Sequence, residues 1–198
     1  MASHSYRIPL TRRFVISGLA ALAVAAVALP SAPAQAAASA EAYVSKVGAS
    51  VIAAANSGSS SQFRSVLKQN ADISAIALFS LGQYRKNLKP GQREEYFGLV
   101  EKYISGVFAQ HSSKLKGQSL EVTGSREVKD SVVVESKLQG GGSSTPVVWR
   151  LVKRGGGYRI FDVNIQGIWL ATTQKTNFTS VLQKNNGDVS ALLAYLRQ

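Results

Sequence analysis

YRIFDVNIQGIWLATTQKTNFTSVLQKNNGDVSALLAYL, residues 158–196, changes its periodicity twice, and those changes decide the fold. Tyr158 to Gln166 alternates apolar and polar side chains, the pattern of a half-buried strand. Gly167 turns the chain into a helix carrying Thr173, Gln174, Lys175 and Phe178. Asn186-Gly187 is a helix stop, and Asp188 is an N-cap from which a short terminal helix restarts.

Working back from that strand, three more segments alternate: Leu120 to Val128, Val132 to Leu138 and Pro146 to Lys153. They connect through Lys129-Asp130, the Gly140-to-Ser144 run and Gly155-Gly156-Gly157. This spacing predicts a meander of four antiparallel strands. With all three glycines in the last loop, counting sets Arg154 opposite Tyr158, Leu151 opposite Phe161, Arg150 opposite Asp162, Trp149 opposite Val163 and Val147 opposite Ile165. One face is then apolar (Val132, Val134, Val147, Trp149, Leu151, Phe161, Val163, Ile165). The other carries Arg150 and Asp162, expected as a cross-strand pair, among Val148, Val152 and Ile160.

Four helices are expected ahead of the sheet. Ala37 to Asn56 has Tyr43, Val47, Val51 and Ile52 at helical spacing, and the Ser57-to-Ser61 run breaks it. A short helix follows over Phe63 to Gln69. A third, capped by Asp72, carries Ile73, Ile76, Ala77, Leu81, Tyr84 and Leu88. The fourth starts at Pro90, whose fixed φ suits a first turn, and runs to about Leu115. Its apolar set includes Leu99, Tyr103, Val107 and Phe108, a stripe wider than one core-facing side requires. Helices on both sides of an antiparallel sheet make an α+β class. On residues alone, the two layers packing into an ordinary filled core account for all these positions.

Upstream, Arg7, Arg12 and Arg13 precede an apolar run of 16 residues, Phe14 to Leu29, and then Ala34-Gln35-Ala36. That is the build of an export signal cleaved after Ala36, by the Sec or the twin-arginine route. The run falls short of the roughly 20 apolar residues a bilayer span needs. Residues 37–198 then form one domain, with 20 basic against 11 acidic residues and a net charge of +9. Such a surface attracts anionic lipid or acidic partner faces. Nucleic acid is not an expected partner of an exported chain whose basic residues are spread singly.

Catalytic chemistry finds little to work with. The chain has no cysteine, and His111 is the single histidine beyond the leader. Glu94-Glu95 falls in a first helical turn, where acids meet the helix dipole favourably. Neither glycine triplet opens a helix or is followed by Gly-Lys-Ser/Thr, so neither is a phosphate loop. No enzyme activity, metal or cofactor is expected.

The order Ile160, Asp162, Val163, Gly167, then Gln174, Lys175, Phe178, then Gly187, Asp188, Leu192 resembles the C-terminal signature of the MlaC family of periplasmic phospholipid-binding (toluene-tolerance) proteins. Phe63, Asp72, Ile76, Leu81-Gly82-Gln83-Tyr84, Pro90, Gln92-Arg93, Tyr96 and Trp149-Arg150 follow the family's earlier motifs in order. Gln166 and Ile168-Trp169 depart from the acidic residue and serine that the family often has there. The resemblance implies a four-stranded antiparallel curved sheet and surrounding helices around a deep apolar pocket for acyl tails. It implies contacts from Ile76, Leu81, Leu99, Tyr103, Val107, Val132, Val134, Trp149, Leu151, Phe161, Val163, Ile165 and Trp169, the last near the mouth. The implied ligand is a phospholipid, and the implied partners are the MCE-domain ring of an inner-membrane ABC transporter and an outer-membrane lipoprotein complex. The implied role is a shuttle that maintains outer-membrane lipid asymmetry. Three alternatives stay open: a hopanoid-associated carrier of the same family, a basic adaptor with a filled core, and a small-molecule α+β enzyme.

Overall fold

The computed structural model describes residues 32–198. The expected export segment lies outside the described residues, apart from residues 32–36, which open the first helix. No helix among the described residues is long and apolar enough to cross a membrane.

Helix α1 (Ala32–Ser57) stops where Gly58 takes φ +67°. Ser59 caps α2 (Ser60–Asn70) by accepting the Gln62 N–H. Asp72 caps α3 (Ile73–Ser80), its Oδ1 accepting the Ala75 N–H at 3.1 Å. That helix ends eight residues before the expected Leu88, because Gly82 turns to φ +54° and the chain tightens into a 3-10 turn over Gly82–Asn87. A left-handed residue cannot continue an α-helix. Gly82 also lies so close to α5 that a Cβ there would stand 3.0 Å from Lys175 and Thr179 side-chain carbons. A second 3-10 turn, Pro90–Gln92, leads into α4 (Arg93–Gln110), and a third, Ser112–Leu115, closes it.

The sheet runs β1 (Ser119–Val128), β2 (Ser131–Gly140), β3 (Ser143–Arg154), β4 (Gly157–Ile165) and β5 (Ile168–Trp169), in that spatial order and antiparallel throughout. Five strands form where four were expected, since Ile168 and Trp169 fold back onto the end of β4. The turn between them needs φ +52° at Gln166 and +89° at Gly167. Helix α5 (Leu170–Lys184) starts directly from β5, and α6 (Val189–Arg197) is capped by Asp188.

The β3–β4 hairpin departs from simple counting in an instructive way. Its loop is Gly155-Gly156 alone, both at positive φ, so Arg154 faces Gly157 and Leu151 faces Ile160. A bulge at Phe161 then adds one residue to β4 and brings Arg150 opposite Asp162, Trp149 opposite Val163 and Val147 opposite Ile165. The two-residue loop wins because paired left-handed glycines match the twist of the strands. Beyond Arg150 the register is the one expected. On the loop side it is shifted by one, which turns Ile160 inward, where it packs with Leu151. A second bulge lies in β1 between Val122 and Gly124, and such bulges bend their strands.

Burial divides into two main cores. α1 lies on the sheet, burying Ala40, Val44 and Val47 against Val132, Val134, Trp149 and Leu151. Separately, α3 to α6 pack on one another around Leu81, Tyr96, Phe178, Leu182 and Leu192. The Tyr96 hydroxyl donates to the Ala77 carbonyl at 2.9 Å, which satisfies the one polar atom of that ring. Two smaller clusters complete the interior: Ala71, Ile76 and Ala171 join the helices to Ile160 and Phe161 of β4, and Phe63 packs on Ala54 and Ala55.

Candidate functional site

A cavity of about 560 Å³ opens beside the α1–sheet core, bounded on its other sides by the two smaller clusters. Its walls come from α1 (Val47, Val51), α2 (Phe63, Leu67), α4 (Ile104, Phe108) and the sheet (Trp149, Val163), so that apolar side chains dominate. The space persists because the large side chains that could fill it are committed elsewhere. Phe178 stacks edge-on against Tyr103 at 5.7 Å inside the helical core. Trp149 is held by its indole N–H donating to Ser136 Oγ at 2.9 Å, and Ser136 donates in turn to the Val147 carbonyl. The ring therefore presents a fixed apolar wall with its polar atom satisfied. α1 sits tightly on β1 at Gly48, where a Cβ would meet the Leu120 Cδ2 at 2.3 Å.

Of the residues expected to contact a ligand, Ile76, Val107, Trp149, Phe161, Val163 and Ile165 line this cavity. The other seven lie elsewhere. Leu81, Leu99 and Tyr103 belong to the helical core. Val132, Val134 and Leu151 sit on the correct face of the sheet, but α1 covers them. Trp169 lies under the Arg150 guanidinium, 4.4 Å from its ring centroid, and does not border the cavity. Face assignment was correct for these strands; what fills the space above each residue is a tertiary fact that alternation does not carry.

The second helix is expected from the sequence, but not its place in the cavity wall, nor that of the approach to β1. Phe63, Val66 and Leu67 recur at helical spacing, which gives the helix one apolar side but does not say what that side faces. His111, Lys114, Leu115 and Gln118 also line the cavity. His111, Lys114 and Leu115 are expected within the fourth helix and Gln118 just past it; the helix instead breaks after Gln110, and the 3-10 turn that follows brings them to the cavity.

Polar groups in the lining are few. Asp162 is only 4% exposed, and its Oδ1 accepts the N–H groups of Val163 and Ala171, both at 2.8 Å. Burial pushes its carboxyl above the ordinary value, and the two backbone hydrogen bonds and the Arg150 charge counter this only in part. Gln174 Nε2 is buried near the Tyr103 hydroxyl, without a close hydrogen bond among the described residues. The exposed members of the lining are Val107, His111, Lys114 and Gln166, and they mark the opening. Such a site can take up an apolar body and leave a polar end at the surface. Among the described residues, no group of three or more His, Asp or Glu is placed to hold a metal ion.

The model of the family described as "MlaC protein" matches residues 43–198. Among solved structures, the chain is similar to a phospholipid-binding protein from Ralstonia solanacearum determined in complex with a phospholipid. The TM-score is 0.69 at 22% identity, over 79% of this chain and 94% of that one.

Proposed function

We propose that this chain, which belongs to the MlaC family, is a carrier that holds a phospholipid with its acyl tails in the cavity. The observation that carries this reading is an open, largely apolar cavity left among α1, α2, α4 and the sheet, although the cores of the protein are packed. A filled core, as an adaptor without a ligand requires, would close that space. Support comes also from the similar fold that holds a phospholipid in the Ralstonia solanacearum structure.

The energetics dictate how a carrier of this kind works. Transferring a methylene out of water gains about 0.8 kcal/mol, so a long acyl chain in the cavity gains on the order of 10 kcal/mol. Escape into bulk solvent is then too slow for transport. Lipid must pass directly into another apolar environment, which calls for docking partners at each membrane. In this reading the chain is exported to the periplasm. It exchanges lipid with the MCE-domain ring of an inner-membrane ABC transporter and with an outer-membrane lipoprotein complex, and so maintains outer-membrane asymmetry.

Organic extraction of the purified protein followed by lipid analysis tests the reading. About one phospholipid per chain is the expected result; a chain purified without detergent that yields none overturns it.

A further inference from the structure

The cavity's opening has a chemistry of its own. Among the described residues of the lining, Lys114 is the only lysine or arginine, and it and His111 are exposed at the mouth. The only acid in the lining is Asp162, which is buried and engaged by two backbone N–H groups. It also lies on β4. Gln118 leads straight into β1, and β4 lies three strand spacings away, roughly 14 Å. From Lys102 through Leu120 the chain carries no acid at all.

This rim is built, not loose. His111 Nδ1 donates to the Val107 carbonyl at 2.9 Å, which leaves Nε2 as the ring's outward nitrogen. The Lys114 N–H donates to the His111 carbonyl at 3.0 Å, and Gln118 Nε2 donates to the Lys114 carbonyl at 2.5 Å. The Gly117 N–H is tied to Asn56 Oδ1 at the end of α1. Leu115 anchors the turn from below, against Phe63, Ala54 and Ala55. Every one of these bonds holds the backbone or the imidazole, while among the described residues no acid forms an ion pair with the Lys114 ammonium.

We propose that the rim carrying Lys114 and Gln118, with His111 beside them, receives the phosphate of the bound lipid and selects lipids of net negative charge over zwitterionic ones. The inference rests on the carrier reading and adds a headgroup preference to it. An amphiphile with its tails among Trp149, Val163 and Phe108 must leave its head at the opening. There a cationic rim with no opposing acid favours a phosphate diester whose charge no ammonium of its own cancels. One solvent-exposed charge pair changes such a preference by about fivefold at most.

The test offers the purified protein vesicles of equimolar phosphatidylglycerol and phosphatidylethanolamine with matched acyl chains, and reads the bound lipid by native mass spectrometry. Wild type is expected to carry phosphatidylglycerol in several-fold excess. Lys114→Glu should bring the ratio to one or below with total lipid unchanged, and Lys114→Arg should keep the excess. Lys102→Glu makes the same change of net charge on an exposed α4 position outside the lining, and should leave the ratio alone. An unaltered ratio in Lys114→Glu, or an equal shift in Lys102→Glu, overturns the proposal while leaving the carrier reading intact. Glycerol 3-phosphate binding one-to-one as tightly as the lipid would assign the rim to a soluble anion and overturn it as well. A wild-type protein that takes up no lipid overturns both readings together.

Discussion

Arg150 stands directly opposite Asp162 across β3 and β4, yet the two do not form an ion pair. The guanidinium lies over the Trp169 ring instead, and the carboxylate turns to the start of α5. Two backbone N–H groups at 2.8 Å, held in place by the fold, satisfy the carboxylate oxygen. Asp162 thus ties the strand that forms the cavity wall to the helix that leaves it.

Replacing that carboxylate separates its two roles. Asp162→Ala leaves two N–H groups without their acceptor and should cost about 1–3 kcal/mol in chemical denaturation. Asp162→Asn keeps an acceptor oxygen and removes a buried charge, so it should stay within about 1 kcal/mol of wild type. The pH dependence has a definite sign. With the folded carboxyl titrating above its ordinary value, its contribution is full below the unfolded value and is lost as pH rises through the folded one. Wild type should therefore gain stability relative to Asp162→Asn on acidification across that window.

Asp72 behaves in the opposite way. Partial burial pushes its carboxyl up, but hydrogen bonds from the Ala75 N–H, Arg154 and Ser74, together with the Arg154 charge, outweigh this and hold it below the ordinary value. Its contribution is present above the unfolded value and is lost as pH falls through the folded one. Arg154→Ala should move the Asp72 titration upward in a carboxyl-detected NMR experiment. A titration that stays put would mean the 2.8 Å contact between them carries little in solution.

Val163→Glu tests the cavity wall. A carboxylate there has no partner among apolar neighbours, and its desolvation opposes tail binding. Native mass spectrometry should show bound lipid falling at least tenfold with the circular dichroism spectrum preserved. Undiminished occupancy would remove Val163 from the ligand's surroundings.

Gly187→Ala tests the junction of α5 and α6. Gly187 has φ +77°, and an added Cβ would meet Asn87 Nδ2 at 2.7 Å and the Tyr84 ring at 3.0 Å. The left-handed backbone alone costs about 1–2 kcal/mol with a side chain. Crowding adds to it, and the Asn87 hydrogen bond to the Gly187 carbonyl is displaced. A loss of at least 2 kcal/mol in thermal or chemical unfolding is the expected outcome.

Much of this architecture can be read from residue patterns. Alternation located the four long strands, and the caps at Asp72 and Asp188 located two helix starts, because both signals are local. The bulge at Phe161 was not legible, since a three-residue loop without a bulge and a two-residue loop with one give the same partner for Asp162. Trp169 was expected near the opening; its actual place depends on a two-residue strand and on Arg150, neither of which leaves a periodic trace. Leu81 and Val134 were correctly inward-facing but are not ligand-facing. Periodicity tells which side of an element is buried. It does not tell whether the neighbour on that side is another helix or an empty space.

The supernumerary residue in β4 has one more consequence. A turn with an additional glycine and a strand without Phe161's insertion would deliver Asp162, Val163 and Ile165 to the same partners. Length changes at this surface tip can therefore be absorbed a few residues downstream, and the wall facing the guest stays put. Diversity at the tip is mechanically decoupled from what the protein carries.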